Sequence, residues 1–200
     1  MSTPQDLDPC EWGRCEWALS APDYVAYHDD EWGYPVHGTA AWFERITLEG
    51  FQAGLSWIVV LRKRPAFREV FADFDPATVA RFGDDDVARL LADARIVRNR
   101  QKIEAAITNA RAVLDLADAG DDLGGLLRSF APDPADHPRP ARIEDVPAVT
   151  PESTAMSAAL KRRGFRFVGP TTCYALMQAT GLVDDHVAHC WRAARTTRAG

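Results

Sequence analysis

Apolar residues recur along most of this chain at helical spacing, and nowhere in sustained alternation. The clearest stripe is Ile103, Ala106, Ile107, Ala110, Val113 and Leu114, on a helix from about Asn99 to Ala119 that Gly120 ends. Val87, Leu90 and Leu91 mark the inner face of a helix from its cap, Asp84, to Ala94. A third pattern begins at Thr39 with Trp42, Phe43, Ile46 and Leu48 and continues, with one break, to about Arg62. Pro65 then starts a short helix through Phe71. Asp75-Pro76 sets a cap and a first-turn proline before a helix reaching Phe82. Thr150-Pro151 and Pro170 open two more helices, closed by Gly164 and Gly181, and short helices fit 22–28 and 123–130. The expected fold class is all-α. Residues 1–12, with two prolines and three acids, read as a disordered extension. Residues 13–192 read as one domain of two helical lobes and 193–200 as a flexible tail. The stretch 131–149 holds five prolines and reads as a surface connection.

Composition adds bounds. At 200 residues and 46% hydrophobic content the chain can bury one sizeable core. No apolar run reaches the roughly 18 residues of a membrane span, and the first residues do not resemble a secretory signal, so a cytoplasmic protein with no membrane partner is expected. Four cysteines at 10, 15, 173 and 190 are too scattered for a disulfide scaffold. The net charge of −6 argues against a polyanionic partner, but the cations cluster: Arg62-Lys63-Arg64 with Arg68, then Arg95, Arg98, Arg100 and Lys102, then Lys161-Arg162-Arg163 with Arg166. A local basic face can bind nucleic acid whatever the net charge. The second cluster surrounds the short link Arg95-Ile96-Val97-Arg98 between two helices. Such a hairpin offers backbone N–H groups and a helix N-terminus to a phosphate; an ordinary turn with basic neighbours is the other reading.

Two constellations carry candidate chemistry. In Leu48-Glu49-Gly50-Phe51-Gln52-Ala53-Gly54-Leu55-Ser56-Trp57, one carboxylate sits among apolar neighbours, and burying it is costly unless a partner waits. Either Glu49 pairs with an arginine inside a buried helix, or it accepts hydrogen bonds from a flat, cationic or hydrogen-rich ligand walled by aromatics. Gly50 and Gly54, at i, i+4 spacing, can share one thin helical face. The second constellation is Cys15 and His28 near the start with His186 and Cys190 near the end, a Cys2His2 set suited to tetrahedral Zn²⁺ with no open position. His189 could replace His186, Cys10 could replace Cys15, and simple burial is the alternative. Cys173 reads as core; His37 and His137 receive no role.

Cys15-Glu16-Trp17, Tyr27-His28-Asp29-Asp30-Glu31-Trp32-Gly33, the Leu48–Trp57 stretch, Lys161-Arg162-Arg163-Gly164-Phe165-Arg166-Phe167-Val168-Gly169 and Asp185-His186-Val187-Ala188-His189-Cys190 together resemble bacterial 3-methyladenine DNA glycosylase I, in order over roughly 14–191. The resemblance implies a helix–hairpin–helix glycosylase, acting without lyase chemistry on alkylated double-stranded DNA and releasing free 3-methyladenine. A monomer is the simplest expectation, in the bacterial cytoplasm and on the nucleoid when bound to DNA. One structural Zn²⁺ would be held by Cys15, His28, His186 and Cys190. Glu49 and Tyr27 would hydrogen-bond the extruded base, Trp57 would stack on it, and Trp17, Tyr24 and Trp32 would wall the pocket. Arg95, Arg98, Arg100 and Lys102 would meet the DNA backbone. Arg95 stands where the family usually has glycine, which puts the hairpin's shape in question. Competing readings are a non-catalytic damage-binding module, a zinc hydrolase with an open metal site, and a helix–hairpin–helix lyase using Asp115 or Asp118.

Overall fold

The helix Thr39–Gln52 is buried on nearly all sides: Trp42, Phe43, Ile46, Leu48 and Phe51 all lie in the core. The rest of the chain packs around it. The computed structural model describes residues 13–196, with side chains to Ala193; the expected extension 1–12 and the end of the expected tail lie outside the described residues. The helices are α1 (Pro22–Asp30), α2 (Thr39–Gln52), α3 (Trp57–Val70), α4 (Pro76–Val79), α5 (Asp84–Ala92), α6 (Arg100–Asp118), α7 (Leu123–Arg128), α8 (Pro151–Arg162), α9 (Pro170–Ala179) and α10 (Trp191–Thr196). No strand occurs among the described residues; an isolated parallel bridge joins Gly13 to Cys190. The fold is all-helical, as the periodicity requires.

Sequence signals set most boundaries. The Asp75 carboxylate accepts the Thr78 N–H at 2.9 Å and starts α4. The Asn99 side chain accepts the Lys102 N–H at 3.2 Å and starts α6. Three expectations are corrected. Pro65 lies inside α3 and starts no new helix. Its missing N–H costs about 3 kcal/mol, but Phe67 and Val70 beyond it bury fully or nearly so, and each such side chain gains roughly 1.5–3 kcal/mol. Asp84 is the first residue of α5, not its cap; Gly83 takes that position, and its N–H is accepted by Asp86 at 3.2 Å. Gly54 shares no helical face with Gly50. It sits at φ +79° in a tight turn, closed by the Leu55 N–H on the Gln52 carbonyl at 2.7 Å, that separates α2 from α3. That φ is the one the third residue of a type II turn needs. Helix α10 also carries helical backbone into residues 193–196.

Two apolar clusters result. The larger joins α2, α3, α6, α8 and α9 and includes Phe51, Phe67, Phe71 and Phe74. The smaller gathers Cys15, Tyr27, Trp32, Leu61, Ala179, Val187, Cys190 and Trp191, so it ties the first described residues to the last. Several cations close helix C-termini between these elements. Lys63 donates to the Ala94 carbonyl at 2.8 Å after α5, and Arg111 to the Ala80 carbonyl at 3.0 Å after α4. These carbonyls have no intrahelical partner, and a cation suits the negative end of the helix.

Candidate functional site

Between the two clusters lies a cavity of about 400 Å³, walled by Trp17, Tyr24, Tyr27, Trp32 and Trp57 and reached by Glu49 and Gln52 from the last turns of α2. Each wall is locked by its neighbours. Trp17 meets Tyr24 edge-on at 5.6 Å and Trp32 at 5.1 Å, and Tyr27 lies 5.5 Å from Trp57. The Tyr24 hydroxyl accepts the Ile58 N–H at 2.8 Å, which fixes the ring against the first turn of α3. The Trp57 indole N–H is buried and has no partner among the described residues.

Glu49 is 4% exposed. The arginine pairing expected as one reading of it does not form. Arg45, one turn before, donates to Glu31 at 3.0 Å, and Arg64 closes the same network at 2.6 Å. Glu49 has no hydrogen-bond partner among the described residues; burial pushes its carboxyl up to about 8, with Arg45 opposing. Burial and the neighbouring Glu49 also hold the Tyr27 phenol in its protonated form. The slot therefore presents a donor hydroxyl and an unpartnered carboxyl among aromatic faces.

The far wall was not legible. Ile143 and Val146 come from the proline-rich connection, and Ala175 and Gln178 from α9. Asp185 also reaches the cavity, its carboxylate bound by Tyr174 and Gln178 at 2.6 Å and by His137 at 2.8 Å. His137, given no role from sequence, thus holds the connection beside the slot. Only the position of Asp185 beside His186 pointed to this wall.

Behind Trp32 stands a second site. Cys15, His28 and Cys190, all buried, bring one ligand atom each within 4.8 Å of the others, a group that could hold a metal ion. The cysteines form no disulfide. A hydrogen bond from Cys15, and another from His28, stabilise the Cys190 thiolate, while the same contact and burial keep Cys15 a thiol. The His28 Nδ1 lies 2.8 Å from Asp29 and the His186 Nδ1 2.8 Å from Asp184, which leaves both Nε2 atoms facing inward. The His186 Nε2 is buried without a partner among the described residues. A carboxylate on the outer ring nitrogen is the usual support of a metal-binding histidine. Trp32 stacks on His28 and meets His186 edge-on at 4.6 Å, so the slot wall rests on this group. Gly33 allows that approach: a Cβ there would lie 2.7 Å from the His186 ring. Of the alternatives, His189 pairs with Glu16 at half exposure, and Cys10 lies outside the described residues.

The basic hairpin divides. Arg98 is exposed, and Arg100 makes only a long contact to Glu104 at 3.4 Å. The Arg95 guanidinium is gripped by Asp93 and Glu69, both at 2.8 Å. Its backbone avoids the left-handed region, so it takes the usual glycine position without strain. Lys102 is placed apart from the other hairpin cations. It is 8% exposed and donates to the Phe51 carbonyl at 2.7 Å and to the Ala53 carbonyl, so its ammonium is committed to the end of α2. Asp115 and Asp118 are exposed and do not line the slot.

An all-helical protein whose aromatic slot carries a buried carboxyl without a partner is of the class that can hold a flat, hydrogen-bonding ligand. Comparison narrows this. Residues 17–193 match the methyladenine glycosylase family, and the chain belongs to it. It is 48% identical over 177 residues to DNA-3-methyladenine glycosylase 1 of Escherichia coli K12, covering 88% of this chain and 95% of that one. A crystal structure of 3-methyladenine DNA glycosylase I superposes with a TM-score of 0.85 at 46% identity, covering 89% and 98% of the two chains. A tyrosine-to-phenylalanine variant of such an enzyme, solved in complex with 3-methyladenine, superposes with a TM-score of 0.83 at 33% identity over 88% and 95%.

Proposed function

We infer that this protein is a base-excision glycosylase that extrudes N3-methyladenine from alkylated duplex DNA into the slot and hydrolyses its glycosidic bond. The observation that carries the reading is the unpartnered, buried Glu49 in an aromatic slot. A base inside a duplex must be flipped out, at a few kcal/mol. Alkylation at N3 makes the nucleoside cationic, which weakens its pairing and prepares a neutral leaving group. A cation against indole and phenol faces gains roughly 0.5–2 kcal/mol. Glu49 adds a charge-assisted hydrogen bond at the base edge and Tyr27 a second contact. Trp57 stacks on the base, with Trp17, Tyr24 and Trp32 as walls. No general acid is needed, because the leaving group departs neutral; water attacks the sugar cation late. Leu55, 41% exposed on the turn into Trp57, fills the gap in the duplex. Arg98 and Arg100 meet the backbone.

The group of Cys15, His28 and Cys190 does not itself include His186, but the His186 ring lies 5.2 Å from that of His28 with its Nε2 buried and unpartnered among the described residues, which supports it as a fourth ligand in a set of two sulfurs and two nitrogens suited to Zn²⁺. Four protein ligands leave no position for substrate, so the ion would act as a cross-link between the chain ends. The test of function is product analysis: incubation with methylated DNA releases free 3-methyladenine in excess over protein. Binding without turnover would instead support a damage-marking module.

A further inference from the structure

The basic segment 161–166 is used neither by the slot nor by the hairpin, yet one of its arginines is held in a built setting. Helix α6 fixes the backbone on both sides of Arg166: Asn109, itself 3% exposed, accepts the Arg166 N–H at 2.8 Å and donates to the Arg166 carbonyl at 3.1 Å. Two residues on, Ser157 donates to the Val168 carbonyl at 2.6 Å. Between them Phe167 takes φ +56°, a left-handed conformation that costs a side-chain-bearing residue on the order of 1–2 kcal/mol. Phe167 rests against α2: a Cβ on Gly50 would lie 3.4 Å from its own Cβ. The backbone of this loop is fixed, and the Arg166 side chain is exposed with no ion pair or hydrogen bond among the described residues.

That distinguishes Arg166 from most arginines here. Arg62 pairs with Asp23, Arg68 with Glu44, Arg89 with Asp86 and Arg95 with Asp93 and Glu69. An exposed cation without a carboxylate, presented on an ordered and strained loop, is placed for a counter-charge from outside the molecule. Its location fits DNA. Lys102, Asn109, Gly50 and Phe167 line one small crevice, so the loop abuts both the α2 end that leads to Leu55 and the helix that starts at the hairpin. Asn109 stands nine residues beyond Arg100, about 14 Å of helix rise, or about four phosphate steps along one strand.

We propose that Arg166 forms a second phosphate contact, separate from the hairpin. The inference rests on the DNA-glycosylase reading above. The experiment measures affinity for undamaged and methylated duplexes across a salt series, with free 3-methyladenine titrated in parallel. Arg166→Gln should lower the magnitude of the slope of log K against log[salt] by about 0.9 and weaken both duplexes about 3- to 10-fold at 0.1 M salt. Affinity for the free base should not change. Arg166→Glu should weaken both further. Arg163→Gln is the control: Arg163 lines a crevice with Asp121 and Asp122 at the other end of α6, and its slope should match wild type. An unchanged slope for Arg166→Gln, or an equal change for Arg163→Gln, overturns the contact. A wild-type protein that binds the duplex but releases no base would overturn the glycosylase reading while leaving this inference to the salt series.

Discussion

Glu49 concentrates the conflict between stability and function in a single side chain. Its carboxyl is pushed up to about 8 by burial, against 4.5 for an ordinary glutamate. Between those values the folded protein keeps a proton that the unfolded chain has lost, so the stability of the free protein falls as pH rises from about 4.5 to about 8. Glu49→Gln keeps the shape and removes the titration. Urea unfolding should therefore find the variant more stable than wild type by roughly 2–4 kcal/mol at pH 8.5, with the difference vanishing near pH 4. The same variant should release 3-methyladenine from DNA at least about tenfold more slowly, because a neutral amide cannot offset the charge of the alkylated nucleoside. Equal stability profiles would mean that Glu49 is solvated or paired in solution, and the slot's selectivity would need another source.

At the scale of elements, the turn between α2 and α3 depends on a lysine from a third helix. Lys102 sits in the first turn of α6, just past the hairpin, and holds the last carbonyls of α2. The start of α6 beside the hairpin is thereby tied to the turn that leads through Leu55 into the Trp57 helix. Lys102→Met removes the tether, leaves two carbonyls unsatisfied and should cost about 1–3 kcal/mol of stability. Its distinguishing signature is a split: excision from duplex DNA falls at least about tenfold, while affinity for free 3-methyladenine stays at the wild-type value. Loss of both in parallel would show that Lys102 supports the slot itself. Lys63 and Arg111 cap other helix ends in the same way. A net charge of −6 is thus accompanied by cations committed to backbone carbonyls of this chain, which is why counting basic clusters overstated the cations free to meet DNA.

For the whole molecule, the group of Cys15, His28 and Cys190 and the small aromatic cluster join the first described residues to the last and support one wall of the slot. If the ion is structural, elemental analysis should find about one zinc per chain. Stripping it with a chelator should then lower Tm by at least about 5 °C, equivalent to roughly 1–3 kcal/mol for a domain of this size, and change the near-ultraviolet dichroism of Trp17 and Trp32. An unaltered Tm after complete removal would exclude the cross-link. The sequence by itself determined the all-helical fold and most helix ends, because apolar period and capping residues are local properties; ligand spacing and motif resemblance offered the aromatic walls of the slot and the Cys15, His28 and Cys190 group as candidates. It read Pro65 as a boundary because a proline's local cost is visible in the chain, whereas the aromatic packing that offsets it is not. Tertiary structure alone decided that Glu49 lacks an arginine, that Lys102 turns inward, that Ile143 and Val146 wall the slot, and that Arg166 points outward from a fixed loop. Each of these depends on which distant group stands beside a charge or a carbonyl, and no periodicity along the chain encodes that.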